Sequence, residues 1–305
     1  MINYKSIIKS RRIRLGLLRG LAFVPDKLMI CLQYKIKTGR KLNLKDPKRF
    51  TEKLQWYKLY YKDPRMIQCA DKYEVREFVK ERGLEEILIP CYGVYDNVGS
   101  INWEELPMQF VLKDTLGCGG NEVVIVTDKN EIELTGLKKK LGNWLSVSSR
   151  MKSGGREWPY YSGKKHRVIA EGYLQADDSE QGLADYKFFC FDGEPKYVYV
   201  VAGRKLGQSA ELGIFDENMQ RLSARRADEK ELTHEVKVPS QFAKMKEVAR
   251  ILSKGFPEVR IDLYEVAGEV RFGEMTFFDG SGYMTFEPDS FDEVMGSAFH
   301  LPAKQ

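Results

Sequence analysis

One lysine lies at the end of an apolar run, shortly before a glycine-rich loop. The run is "FVLKD", in which the lysine is Lys113, and the loop "GCGGN" follows at 117–121. A strand would fix the direction of the side chain, and glycines, which lack Cβ atoms, would let backbone N–H groups close over polyphosphate. The pattern indicates a nucleotide-phosphate site, and the alternative is an ordinary hairpin with an exposed lysine.

Two later runs carry acidic residues in a pattern that suits a metal ion. Strand side chains alternate, so "VRIDLYEV" places Arg260 and Asp262 on one face. By the same rule "RFGEMTFF" places Glu274 and Thr276 on one face. Two carboxylates on paired strands suit Mg²⁺, which prefers hard oxygen ligands and keeps positions for water and phosphate. The alternative is a charged, solvent-facing side of a hairpin.

The elements that must position these residues indicate an α+β protein. Helices are predicted over 3–22, in "FTEKLQWYKLYY" and in "ADKYEVREFVKERG", and Asp128 with Glu131 has the spacing of a capping box. The part after residue 109 is rich in β-type runs, with Asp192-Gly193 and Ala267-Gly268 as hairpin turns. We therefore expect a helical N-terminal third and a remainder built from antiparallel strands. The Rossmann and P-loop nucleotide motifs do not occur.

Composition excludes several other classes of protein. The chain has 305 residues and an apolar content of 43%, which is that of a globular protein. No run approaches the length of a membrane-spanning helix, and arginines interrupt the early apolar residues, so we expect no signal peptide. The cysteines are scattered and odd in number, which predicts reduced thiols in a cytosolic protein and no zinc site. They are Cys31, Cys69, Cys91, Cys118 and Cys190.

Positive charge is concentrated at the N-terminus. Residues 1–53 contain 15 Lys and Arg against 3 Asp and Glu, a charge of +12 in a chain whose net charge is +5. These basic residues interleave with apolar ones, a pattern typical of helices that lie on anionic membrane surfaces. A packed helix with a solvated basic face is the alternative, and nucleic acid is not the expected partner.

The ordered set of motifs resembles a known family. It consists of "ADK" with Lys72, Lys113 before the glycine loop, "IAEGYL" with Glu171, "DYKFF" with Lys187, then "RID" and "GEMTFFDGSG". The order and spacing resemble the ATP-grasp superfamily, and within it the TupA-like branch of teichuronopeptide biosynthesis, from about Pro47 to Phe291. The resemblance implies an ATP-grasp fold, in which two α+β subdomains clamp ATP between antiparallel sheets.

The resemblance also implies roles for individual residues. Lys72 and Lys113 would contact the phosphates, and Glu171 would contact adenine or ribose. Arg260 would stabilise negative charge on the substrate, and Lys187 would supply a basic group near the phosphates or the acid substrate. The flap over the γ-phosphate would be the loop at 117–121, with Gly117, Gly119, Gly120 and Asn121, and the Mg²⁺ ligands would be Asp262, Glu274 and Thr276.

Two departures from the family pattern concern the metal and the acceptor. Thr276 stands where many ATP-grasp enzymes have asparagine, so a second metal ion is less firmly predicted than the first. "DGSG" at 279–282 replaces a proline–glycine turn, which indicates a different acceptor pocket. Four segments are predicted: a basic helical region at 1–62, a linking region at 63–108, the subdomain with the lysine and flap at 109–172, and the metal-binding subdomain at 173–305.

The resemblance implies an ATP-dependent carboxylate–amine ligase that forms an amide through an acyl phosphate and releases ADP. Its family context suggests a uronic acid of a surface polysaccharide such as a capsule, and an amino acid or amine. The expected location is the cytoplasm, with peripheral contact to the inner membrane face. The alternatives are a glycosyltransferase of polysaccharide biosynthesis, although no D-x-D motif occurs, and a non-catalytic nucleotide-binding module.

Overall fold

The computed structural model describes residue 16 and residues 20–117, 122–147, 154–176, 182–203 and 210–304. Most of the helix predicted over 3–22 lies outside these residues. None of the described helices has the length and apolar composition that crossing a bilayer requires. The α-helices are α1 (Asp26–Thr38), α2 (Phe50–Tyr60), α3 (Arg65–Ala70), α4 (Val75–Glu81), α5 (Leu134–Leu145), α6 (Phe242–Ser253) and α7 (Phe291–Ala298).

Two of the helix predictions are wrong in detail. The helix predicted in "ADKYEVREFVKERG" is broken, because the Asp71 carboxylate accepts hydrogen bonds from the N–H groups of Tyr73 (2.9 Å) and Glu74 (3.0 Å) and starts α4 anew. Asp128 caps only a short 3₁₀ turn, whereas Glu133 accepts from the first N–H groups of α5. The break at Asp71 matters for the candidate site, because the turn that it creates carries Lys72.

A four-stranded antiparallel sheet forms the smaller of the two sheet layers. Its strands are β1 (Cys91–Tyr95), β2 (Phe110–Asp114), β3 (Val123–Val126) and β4 (Val168–Gly172), in the order β1-β4-β2-β3. Phe110 and Leu112 pack in one cluster with Leu141 and Trp144 of α5. Because side chains alternate along β2, Lys113 belongs to the face that α5 does not cover.

A six-stranded sheet forms the larger layer, and only its last strand pairs in parallel. Its strands are β5 (Asp185–Phe191), β6 (Glu194–Ala202), β7 (Glu211–Asp216), β9 (Lys230–Glu231), β10 (Glu258–Val266) and β11 (Glu269–Thr276), in the order β11-β10-β5-β6-β7-β9. The predicted hairpins at Asp192-Gly193 and Ala267-Gly268 are confirmed by the antiparallel pairs β5/β6 and β10/β11. A separate two-stranded ribbon consists of β8 (Arg225–Arg226) and β12 (Phe286–Glu287).

One face of the large sheet changes from apolar to charged along the strands. The Cys190 thiol points at the Ala249 carbonyl of α6, so its neighbours Phe189 and Phe191 face the other way. On that side Phe50 of α2 packs against both phenylalanines. Two residues before Phe189 on β5, the same face carries Lys187, which is opposite Asp262 of β10. The helical layer thus covers one end of this face, and the charged residues occupy the other.

Helix α2 also holds the turn Asp279–Gly282, which follows β11. Gln55 Nε2 donates to the carbonyl oxygens of Ser281 (3.0 Å) and Gly282 (2.6 Å). Lys58 Nζ donates to those of Ser281 (2.9 Å) and Gly155 (2.7 Å). Lys58 is only 1% exposed, and burial lowers its pKa to about 7, partly opposed by Glu157.

A first prediction concerns the contact between α7 and the chain before α2. A Cβ atom on Gly296 would lie 2.1 Å from the Lys48 carbonyl oxygen and 2.7 Å from the Phe50 nitrogen. Gly296→Ala should therefore destabilise the fold by about 1–3 kcal/mol, despite alanine's higher helix propensity. Urea unfolding measures this. Gly142→Ala in α5, where a Cβ meets nothing within 4 Å, is the control and should stabilise by up to about 1 kcal/mol. Equal effects of the two changes would contradict the packing.

A second prediction concerns the protonation of Lys58. Its pKa falls from the ordinary 10.5 to about 7 on folding, so the unfolded chain binds the extra proton between these values. The free energy of unfolding should consequently rise with pH in that window. From about pH 7 to about pH 9 the wild type should gain about 2 kcal/mol relative to Lys58→Met, which lacks the titrating group. Parallel pH profiles of the two proteins would refute a depressed pKa.

Candidate functional site

The guanidinium of Arg260 is the centre of the charged cluster on the large sheet. Arg260 lies on β10 and is 8% exposed. Its Nε and Nη2 donate to the two oxygens of Asp262 at 2.7 Å each, and Nη1 donates to Asp279. Nη2 also lies 3.2 Å from Glu274 Oε1 and 3.1 Å from Thr276 Oγ1. The four residues that strand alternation placed on one side of the hairpin are therefore brought together.

A bulge keeps these residues in register. Asp262 is directly opposite Glu274, and Leu263 is directly opposite Phe272, so Gly273 is the extra residue of β11. A Cβ on Gly273 would lie 2.9 Å from the Asp262 carbonyl oxygen, which explains why glycine occupies this position. The bulge thus lets Glu274 face Asp262 across the hairpin.

Lys187 adds a second cation to the cluster. Its Nζ contacts Asp262 and lies 2.6 Å from Asp185 Oδ2, which precedes it by two residues on β5. Burial alone would lower the pKa of Lys187, but Asp185 and Asp262 outweigh burial and raise it. Burial would likewise raise the pKa of Asp262, but Arg260 and Lys187 outweigh burial and lower it. Lys187 and Asp262 therefore stay ionised at neutral pH although both are nearly closed to solvent.

Lys72 connects this cluster to the glycine loop. It lies in the turn between α3 and α4, and its N–H donates to the Thr115 carbonyl oxygen at 2.8 Å. Its Nζ donates to the Gly117 carbonyl oxygen and lies 3.8 Å from Glu274 Oε2. One lysine side chain thus contacts both the end of the small-sheet loop and the acidic residue of the large sheet.

Lys113 and Glu171 form a pair on the open face of the small sheet. Lys113 Nζ lies 2.8 Å from Glu171 Oε2, and Arg76 Nη1 lies 3.5 Å from Glu171 Oε1. Glu171 is only 6% exposed. Its carboxylate is therefore largely desolvated, and the two cations neutralise its charge there. Of the predicted flap, Gly117 is described, while Gly119, Gly120 and Asn121 lie outside the described residues.

Sequence reasoning missed two residues that support Arg260. Asp279 belongs to the "DGSG" turn, is 6% exposed and pairs with Arg260 on one side. On its other side Arg226 Nη1 donates to it at 3.1 Å, and Arg226 also binds both oxygens of Asp228 at 2.7 Å. Arg226 and Arg260 are 34 positions apart in sequence, so no local pattern could have linked them.

A histidine at the base of the glycine loop was also missed. His166 Nδ1 lies 2.7 Å from Asp114 Oδ2, and Asp114 directly follows Lys113. The other Asp114 oxygen accepts from the Leu116 N–H at 3.0 Å. In sequence His166 is isolated from these residues, and only the pairing of β2 with β4 brings it near them.

The oxygen donors fit a hard cation, but the two carboxylates, Asp262 and Glu274, are not equally accessible to it. Across the described ranges no cluster of three or more His, Cys, Asp or Glu forms a ready-made metal site. Asp262 is already bound by Arg260 and Lys187, whereas the Glu274 side chain is 38% exposed. Glu274 is therefore the more accessible carboxylate of the two, and an ion held here would need phosphate or water for most of its positions.

The chain is similar to solved structures of ligases. The chain is 17% identical to the D-alanine–D-alanine ligase of Bacillus anthracis, with a TM-score of 0.44, over 69% of this chain and 57% of that one. It is 15% identical to the L-amino acid ligase of Bacillus licheniformis, with a TM-score of 0.43, over 77% of this chain and 48% of that one. The chain thus spans less than two thirds of the length of either ligase. A comparison with curated proteins found no match.

A family model decides the classification. The model described as TupA-like ATPgrasp matches residues 52–300, which include both sheets and all the residues of the cluster around Arg260. The α+β fold class of the ATP-grasp type, predicted from the sequence, is confirmed. The chain belongs to the TupA-like ATP-grasp family.

Proposed function

We propose that the protein is an ATP-dependent carboxylate–amine ligase. The γ-phosphate of ATP would pass to a carboxylate, an amine would attack the acyl phosphate, and an amide, ADP and phosphate would result. The observation that carries the proposal is the position of Lys72, between Gly117 of the glycine loop and Glu274 of the large sheet. A polyphosphate at that point would meet cations from both sheet layers, and phosphoryl transfer depends mainly on such positioning and charge neutralisation.

The nucleotide would lie between the two sheet layers. Lys72 and Lys113 would neutralise the phosphates, and Glu171, which already pairs with Lys113, would accept a hydrogen bond from adenine or ribose. Gly117, Gly119, Gly120 and Asn121 would close over the γ-phosphate. Closure would exclude the water that otherwise hydrolyses an acyl phosphate.

The acid substrate would bind near Arg260. Its guanidinium is fixed by Asp262 and Asp279, so it would stabilise charge on the carboxylate with little reorganisation. Lys187 would lie next to the same charge. Mg²⁺ would be held by Glu274 and Asp262 with Thr276 beside them, and when bound it would neutralise the phosphate oxygens.

The substrates that the family context favours are a uronic acid of a surface polysaccharide, such as a capsule or its precursor, and an amino acid or amine. The family description names a TupA-like protein, and a lipid-linked glycan at the cytoplasmic membrane face would suit the basic N-terminal region. Release of ADP in the presence of uronic acids and amines tests this proposal. Release of a nucleoside diphosphate from a nucleotide sugar would instead establish a glycosyltransferase.

A third prediction tests the nucleotide site before its substrates are known. Calorimetry should detect binding of Mg-ATP, and Lys113→Ala and Glu274→Ala should each weaken it about tenfold or more, since each removes a charge-assisted contact. Lys139→Ala on the exposed side of α5 and Glu269→Ala at the far end of β11 are the matched controls and should bind as the wild type does. Nucleotide-sugar binding without ATP binding would end the ligase proposal. ATP binding without turnover would favour a non-catalytic module.

A further inference from the structure

Four large apolar side chains near the start of the described chain are exposed to solvent. The side chains are those of Leu21, Phe23, Leu28 and Leu32, with exposed fractions of 39%, 82%, 62% and 54%. Leu28 and Leu32 are one turn apart on α1, so they lie on the same side of that helix. We call these four residues the Leu21–Leu32 patch. The other exposed large apolar side chains of the described ranges are scattered along the chain from Tyr73 to Val294.

The patch is held in its exposed position by the rest of the protein. The opposite side of α1 is buried through Met29, Ile30 and Tyr34. Just before α1, the guanidinium of Arg156 donates to the carbonyl oxygens of Leu21 (2.7 Å), Ala22 (3.3 Å) and Val24 (3.3 Å). Arg156 is only 3% exposed, so the backbone that carries Leu21 and Phe23 is fixed to the folded domain. A fixed apolar surface of this kind indicates a binding partner.

The charge around the patch identifies the chemistry of that partner. Lys27 and Lys35 are exposed on α1 itself, and Lys41 and Lys45 are exposed directly after it. The whole segment 1–53 carries a charge of +12. Leucine and phenylalanine side chains partition into the boundary between headgroups and acyl chains, and lysines bind anionic headgroups above it. A nucleic acid would use the lysines but would leave the leucines without a partner.

We propose that the Leu21–Leu32 patch and the lysines around it dock the protein on a membrane surface that contains anionic phospholipid. The leucines and Phe23 would enter the interface, and the lysines would bind phosphate headgroups. The patch shares no residue with the cluster around Arg260, so the proposal goes beyond the ligase activity and does not depend on it.

The test is vesicle co-sedimentation of the full chain. The probes are vesicles of phosphatidylcholine alone and of phosphatidylcholine mixed with phosphatidylglycerol. We expect binding to the mixed vesicles only, with an affinity that falls as salt is raised. Leu28→Ser with Leu32→Ser should weaken that binding about tenfold or more, because two apolar side chains no longer enter the interface. The matched control is Ile125→Ser with Val238→Ser, two exposed apolar residues elsewhere, and it should pellet as the wild type does.

Several results would overturn the proposal. Absence of binding, equal binding to both kinds of vesicle, or an equal loss in both double variants would contradict it. Sedimentation velocity distinguishes a further case: if the Leu28/Leu32 variant changes the oligomeric state and not vesicle binding, the patch is an interface between copies of the chain. Mg-ATP binding, measured on the same samples, should be unchanged in both double variants, which separates a failure of docking from a failure of the ligase proposal.

Discussion

The charged cluster depends on one buried guanidinium that binds three carboxylates. Arg260 contacts Asp262 on its own strand, Glu274 on the next strand and Asp279 in the turn that follows. A buried charge without partners costs several kcal/mol, so these carboxylates stabilise the arginine in its buried position. The same contacts fix the relative position of two strands and a turn. The geometry of the site is therefore maintained by the charges that would carry out its chemistry.

The pairing also determines in which direction the pKa of a buried carboxyl group shifts. Glu258 and Asp262 lie on the same face of β10 and are almost completely buried, at 0% and 1% exposure. The described residues offer no hydrogen-bond partner to either carboxyl oxygen of Glu258, and burial raises its pKa well above the ordinary range. Asp262 has Arg260 and Lys187 beside it, and its pKa is lowered instead. Two carboxyl groups four residues apart on the same strand thus have pKa values shifted in opposite directions, upward for Glu258 and downward for Asp262.

Strand alternation and turn chemistry could be read from the sequence because both are local. They placed Arg260, Asp262, Glu274 and Thr276 on one side of a hairpin, and the structure has them there. The break at Asp71 could not be predicted from helix propensity, since it depends on a side-chain bond that competes with the helix. The contact of Arg226 with Asp279 joins distant segments, so it follows from the tertiary fold alone.

The helical N-terminal layer is part of the site and not an appendage to it. Gln55 and Lys58 of α2 bind the carbonyl oxygens of the turn that carries Asp279, and Asp279 in turn binds Arg260. Arg156, next to the Gly155 that Lys58 also binds, holds the backbone beside the Leu21–Leu32 patch. The match to the family begins at residue 52, inside α2, so Gln55 and Lys58 lie within the matched region. Because α2 binds the turn that carries Asp279 directly, loss of α2 would free one of the three carboxylates that hold Arg260.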